Sequence, residues 1–132
     1  MDPYIGIAEL LWANAAFKAA TPGGISDTVR NPNAPMPDLT FQVAGGGGAP
    51  GLSTSGPQKR RIQFDARGNT AASAKASRNA LRKALNGFSG ALPNGFILSA
   101  AWLINEIDYF DSDARQFRAM AEYYILFAFQ DS

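Results

Sequence analysis

The sequence contains no cysteine and no histidine. Cys–His and Ser–His nucleophile pairs are therefore excluded. Structural zinc, haem held by His or Cys, and iron–sulfur clusters lose their usual ligands. No disulfide can form, so cysteine usage says nothing about redox compartment. An excess of charge of one sign is missing too. Lys+Arg number 12 against 11 Asp+Glu, a formal net charge of +1, which supplies no bulk attraction to nucleic acid or to an anionic membrane. Long apolar runs are also absent. Tyr4 to Ala20 is interrupted by Glu9, Asn14 and Lys18, and Phe96 to Ile104 is too short for a membrane-spanning helix. The opening Met1-Asp2-Pro3 is acidic where a secretory leader would be basic. Carboxylate chemistry, lysine chemistry or no chemistry remain, and the last is the expectation.

What is present suits one domain over residues 1–132. The chain is 46% hydrophobic and 11% aromatic, enough to bury a core without covalent staples. Asp2 and Pro3 can start a helix. Ile7, Leu10, Leu11, Ala15 and Lys18 continue it at helical spacing, with the Lys18 stem laid over the apolar stripe. Thr21-Pro22-Gly23-Gly24 ends it. A short strand, Ile25 to Arg30, precedes a connection held extended by Pro32, Pro35 and Pro37. Leu39 to Ala44 and Lys59 to Arg67 alternate apolar and polar, with Ile62, Phe64 and Ala66 on one face of the second. The glycine, serine and proline tract 45–58 has too little apolar content to pack and reads as a flexible hairpin loop.

A second helix is expected from about Thr70 to Leu85, capped by Asn69 and stopped at Asn86-Gly87. Ala72, Ala76, Ala80 and Ala84, beside Leu81 and Leu85, read as its inner face. After the Asn94-Gly95 turn, Phe96 to Tyr109 reads as a long strand with both faces of its first half covered. Arg118 to Gln130 reads as the last strand. Ala119, Ala121, Tyr123, Ile125, Phe127 and Phe129 form its apolar face; Arg118, Glu122 and Gln130 lie opposite. The predicted class is α+β: a two-layer sandwich, with a mainly antiparallel four- to five-stranded sheet and two helices on one face.

Two strings imitate phosphate-binding motifs. Gly46-Gly47-Gly48-Ala49-Pro50-Gly51 matches G-x-G-x-x-G, but Pro50 removes a donor and no helix can open after it. Gly51 to Gly56 has the Walker spacing, with Pro57-Gln58 where Lys-Ser/Thr belongs. Both read as loop. Glu106 and Asp108 share a strand face near Asp111 and Asp113. They could serve acid–base work or hold a divalent ion, against the plainer reading of a solvated acidic strand end. Charge is segregated. Residues 59–83 hold Lys59, Arg60, Arg61, Arg67, Lys75, Arg78, Arg82 and Lys83 against Asp65, whereas residues 84–132 are mainly acidic. Lys75, Arg78 and Arg82 form one helical stripe. No aromatics are interleaved as nucleic-acid stacking would require, leaving an exposed helix face or complementarity between copies. Tyr124 and Leu126 place apolar side chains on the second face of the last strand, a patch that suggests oligomerisation.

In order along the chain, these features resemble the tail-terminator, or tail-completion, proteins of long-tailed bacteriophages. The resemblance rests on the lead-in Ala34-Pro35-Met36-Pro37, the strands Leu39 to Val43 and Arg61 to Asp65, and the helix ending Asn86-Gly87-Phe88-Ser89-Gly90. Asn105 to Asp111 and Arg115-Gln116-Phe117-Arg118 complete it. The Gly-rich loop at 45–48 is longer than the family pattern, and no aromatic stands at Ala66-Arg67. The resemblance implies a non-catalytic homo-oligomer, a ring of six copies on the head-proximal end of the tail tube. It implies contacts to the tail tube protein and to a head-completion protein, with genomic DNA passing through without sequence recognition. No cofactor, metal or membrane is implied; the location is the virion neck, and the host cytoplasm during assembly. Ring or tube contacts are expected at Gly46, Gly47, Gly48, Leu52, Arg60, Arg78, Arg82, Tyr124 and Leu126. Glu106, Asp108, Asp111 and Asp113 are expected to line the channel. The alternatives are another neck component, a head-closure or minor tail protein, or a small carboxylate enzyme.

Overall fold

The computed structural model describes residues 3–30, 33–46 and 58–128. Helices α1 (Pro3–Trp12), α2 (Ala15–Ala20) and α3 (Ala71–Leu85) form one layer, in which α3 packs on the sheet, α1 and α2 pack on α3, and Tyr4 of α1 meets Phe127 of the sheet. Its strands are β1 (Ile25–Asp27), β2 (Asp38–Gly46), β3 (Gln58–Gly68), β4 (Gly90–Ala91), β5 (Ile97–Asp111) and β6 (Gln116–Ala128). Their spatial order is β1-β2-β3-β6-β5-β4. Among the described strands β1 and β2 run parallel and every other pair is antiparallel. The α+β class holds, with six strands and three helices among the described residues in place of the four to five and two expected.

The N-terminal helix breaks where a single one was expected. Asn14 takes an extended conformation, and its side-chain oxygen accepts from the Phe17 amide at 2.9 Å, which caps α2. The break turns Phe17 into the core beside Ile7 and Leu11 from α1. The break falls where an Asn side chain offers the backbone another partner. Lys18 lies over the Trp12 ring, 5.0 Å from its centroid, not along the apolar stripe.

Helix α3 begins one residue later than expected. Thr70, not Asn69, is the cap, and Thr70 and Ser73 bond each other's backbone amides reciprocally. The buried face consists of Ala74, Ser77, Arg78, Leu81 and Leu85. Ala72 and Ala76 face solvent, and Ala80 and Ala84 are half-buried, so the alanine stripe is the helix's flank. Asn86-Gly87 ends the helix as expected, Gly87 at φ +83°.

Alternation in β3 and β6 sets the core. Ile62, Phe64 and Ala66 lie on the helix side with Ala119, Ala121, Tyr123, Ile125 and Phe127. Phe64 and Tyr123 meet edge to face at 5.6 Å. β5 is covered on its helix side alone: Leu98 and Ala101 are buried while Ile97 and Trp102 are exposed. The expectation of two covered faces there is overturned, because three helices occupy one side of the sheet. β1 is shorter than expected, ending before Thr28 at φ +63°. Phe129 and Gln130 of the expected last strand, and residues 47–57 of the expected loop, lie outside the described residues.

Candidate functional site

Two ionic networks lie on opposite faces of the sheet. On the helix side, Arg78 of α3 is 7% exposed. Its Nε stands 3.2 Å from Glu106 and its Nη1 donates to Asp108. Lys75 reaches Asp108 at 3.7 Å, and Arg82 reaches Glu106 at 3.6 Å. The stripe Lys75-Arg78-Arg82 is one helical face, but it faces β5. Arg78 is therefore not on an exposed face, and complementarity of basic and acidic segments is met here within one chain. Neutralising a buried guanidinium requires such partners. Glu106 and Asp108 do share a strand face, but cations from α3 hold both.

On the other side of the sheet, Arg67 grips Asp38 with bonds of 2.9 and 3.1 Å. Arg30 Nε lies 3.1 Å from the same carboxylate, and Arg30 Nη2 donates to the Asp65 carbonyl at 2.7 Å. Arg118 donates to the Asp65 carboxylate and stands 3.3 Å from Asp111. Burial pushes the Asp65 carboxyl above its ordinary pKa, opposed by the charges of Arg118 and Arg30. Burial likewise lowers the Arg30 value against the pull of Asp38 and Asp65. Arg30, Thr40, Asp65 and Arg118 line a polar depression of about 290 Å³ with Gln42, Gln63 and Met120. No motif or spacing in the sequence marks this network. Its one visible signal was the alternation of Asp65 and Arg67 on the polar side of β3.

Above the network the open sheet face turns aromatic. Trp102 and Tyr124 pack at 5.6 Å, and the Lys59 ammonium sits 4.0 Å from the Tyr124 centroid. Leu126 lies opposite Lys59 in the register. Ile107 and Tyr109 extend the patch along β5, 48% and 42% exposed. Of the other expected contact residues, Arg60 sits opposite Gly46 at the distal end of the β2–β3 pair. Gly47, Gly48 and Leu52 lie outside the described residues. Asp111 belongs to the Arg118 network, and Asp113 stands in the β5–β6 turn, its amide bonded to the Asp111 side chain at 3.2 Å.

The two margins of the sheet differ. β4 pairs with β5 only at Ile97 and Leu98. Just beyond, the end of α3 occupies the margin: the Gly87 amide donates to the Ala101 carbonyl at 2.8 Å, and the Leu103 amide to Asn86 Oδ1 at 2.9 Å. From Ile104 to Asp111 no described strand pairs with the outer side of β5. The opposite margin is the three-residue β1. Beside it runs an apolar groove of about 800 Å³ walled by Ile5, Ala8 and Trp12 of α1 and by Ile25 and Phe41, with Glu9 and Asp27 at its sides. Neither Glu106 nor Asp108 lines this groove or the polar depression. Among the described residues no group of three or more acidic, His or Cys side chains is placed to hold a metal ion, and no helix is long and apolar enough to cross a membrane.

No protein-family model matches the sequence, and no curated protein matches it. Among solved structures, a chain of the "Virion of native gene transfer agent (GTA) particle" superposes with a TM-score of 0.67 at 19% identity. The match covers 92% of this chain and 90% of that one. At this identity the likeness is one of fold.

Proposed function

We propose that the chain is a non-enzymatic structural protein of a phage-like virion that forms a ring on the head-proximal end of the tail tube, stops tube growth and offers the surface that joins the head. The observation that carries this reading is the fold shared, over nine-tenths of both chains, with a component of a virion particle. The physical build supports it. A sheet with one uncovered aromatic face and two dissimilar margins is suited to repeated contact between copies. A heterologous contact repeated about an axis closes a ring. Trp102, Tyr124 and Leu126 supply apolar surface of the kind found at interface centres.

In this reading Arg82, Tyr124 and Leu126 face neighbouring copies or the tube. Gly46 and Arg60, with Gly47, Gly48 and Leu52 of the loop, dock against the tube protein. Arg78 acts indirectly by holding β5 in place. Glu106 and Asp108 are already matched by α3, so the hairpin end with Asp111 and Asp113 is the part assigned to the channel wall. DNA passes there without sequence recognition. The remaining partner is a head-completion protein, and the location is the virion neck.

Negative-stain images of a lysate lacking the protein test the assignment. Overlong tails are expected. Filled heads beside free tails of normal length would instead assign the chain to another neck component, such as a head-closure protein. Normal joined particles would overturn a structural role.

A further inference from the structure

The two margins of the sheet match each other in height, direction and charge. Following the register across the sheet, Ile25 aligns with Leu39, Ala66, Ala119 and then Asp108. Asp27 aligns through Phe41, Phe64 and Ala121 with Glu106. The unpaired stretch of β5 thus lies level with β1. The strand directions alternate so that β5 runs opposite to β1. If copies are related by rotation about an axis along the strands, β5 of one meets β1 of the next as an antiparallel pair, the better-bonded arrangement.

Charge favours the same match. Lys75 and Arg82 flank β5 on the helix side, and each stays about half-exposed despite its ion pair. The groove beside β1 carries Glu9 and Asp27. Glu106, level with Asp27, has its charge matched by Arg78 and Arg82. Lys18, 5.0 Å from the Trp12 ring centroid, adds a positive charge at the groove wall beside the Glu9 and Asp27 carboxylates. Apolar surface also matches: Phe110, 50% exposed, projects on the helix side of β5 near the level of the groove's Gly24 end.

We infer that a second copy of this chain occupies the α1–β1 groove, adding its free β5 segment to β1 and setting its Arg82 against Asp27 and its Phe110 against the apolar wall. The contact covers the free margin of β5 and the outer margin of β1, where the Asp27 carbonyl already takes the Val29 amide at 2.6 Å; such margins otherwise invite promiscuous pairing. Because the two patches differ, it repeats from copy to copy. It deepens the ring reading and rests on it only in requiring that copies meet margin to margin.

Solution mass by light scattering tests it, with far-UV circular dichroism as the folding control. The wild-type chain is expected to be oligomeric. Asp27→Arg or Arg82→Glu alone should shift it to monomer, and the double charge swap should restore the oligomer. The absence of cysteine provides a second measurement. A mixture of Asp27→Cys and Arg82→Cys chains treated with a short bis-maleimide should give a covalent dimer, whereas neither variant alone should. An oligomer that persists in both single reversals, or a linked dimer from one variant alone, would overturn the contact and leave a ring built another way. A wild-type chain that stays monomeric at high concentration would also overturn it. Monomer together with tails of normal length in the deletion lysate would remove the ring reading itself.

Discussion

Arg67 and Asp38 form a two-pronged ion pair, at 2.9 and 3.1 Å, in which Asp38 is 2% exposed. The pair ties β3 to β2 where the chain enters the sheet after its proline-rich lead-in. Arg30 shares the carboxylate, but by a single close approach. Removing one partner of a buried pair strands the other's charge, at a cost of about 3 kcal/mol. Arg67→Ala is expected to lower the urea midpoint accordingly. Arg67→Lys should recover only part of the loss, because an ammonium cannot reproduce the fork. Equal stability of the Ala variant and wild type would mean that Arg30 alone satisfies Asp38.

The α3–β5 network separates buried from exposed members. Arg78 is enclosed and bridges Glu106, Asp108 and the Met120 carbonyl. Lys75 holds Asp108 from a half-exposed position. Arg78→Ala is expected to cost several-fold more stability than Lys75→Ala, roughly 3 kcal/mol against less than about 0.5 kcal/mol. Chemical denaturation of both variants checks the contrast. Salt should erase the Lys75 effect and leave most of the Arg78 effect.

Helix α3 gives a third test. Thr70 receives the Ser73 amide at 3.0 Å, and Ser73 Oγ accepts from the Thr70 amide at 3.3 Å. Thr70→Ala should cost about 1 kcal/mol, the usual value of such a cap. Asn69→Ala, one residue earlier and exposed, should cost almost nothing. Thermal melts of the two variants decide between them; the reverse order would place the cap at Asn69.

The alternation of β2, β3 and β6 made the sheet's centre legible, because a strand with one buried face writes its register into every second residue. The same local pattern could not report partners. Lys75, Arg78 and Arg82 read as an exposed stripe because the sequence does not say that α3 crosses β5 at Glu106 and Asp108. Asn14 was legible as a polar interruption, but the break it makes depends on Phe17 finding space in the core. β4 is two residues long, below what periodicity can register. The margins depend on strand order, which put β6 between β3 and β5 and left Ile104 to Asp111 at the rim. Arg30 joins the network through a turn with Thr28 at positive φ, and no spacing rule ties it to Asp65, 35 residues on.

Asp65 gives the pH test. Its folded pKa is raised, chiefly by burial and despite Arg118 and Arg30. The folded chain therefore holds that proton more tightly than the unfolded chain does. Asp65's contribution to stability is fully present below its unfolded value, near 3.8, and is lost as pH rises through the raised folded value. Compared with Asp65→Asn, the wild type should gain relative stability on acidification, and its advantage should shrink toward neutral pH. Urea titrations of both proteins between pH 3 and 7 measure that difference. An advantage that grows with pH would mean that the pull of Arg118 outweighs burial, and that the carboxyl titrates below its ordinary value. The carboxylate carbon shift of Asp65, followed by NMR through the same range, identifies the group that titrates.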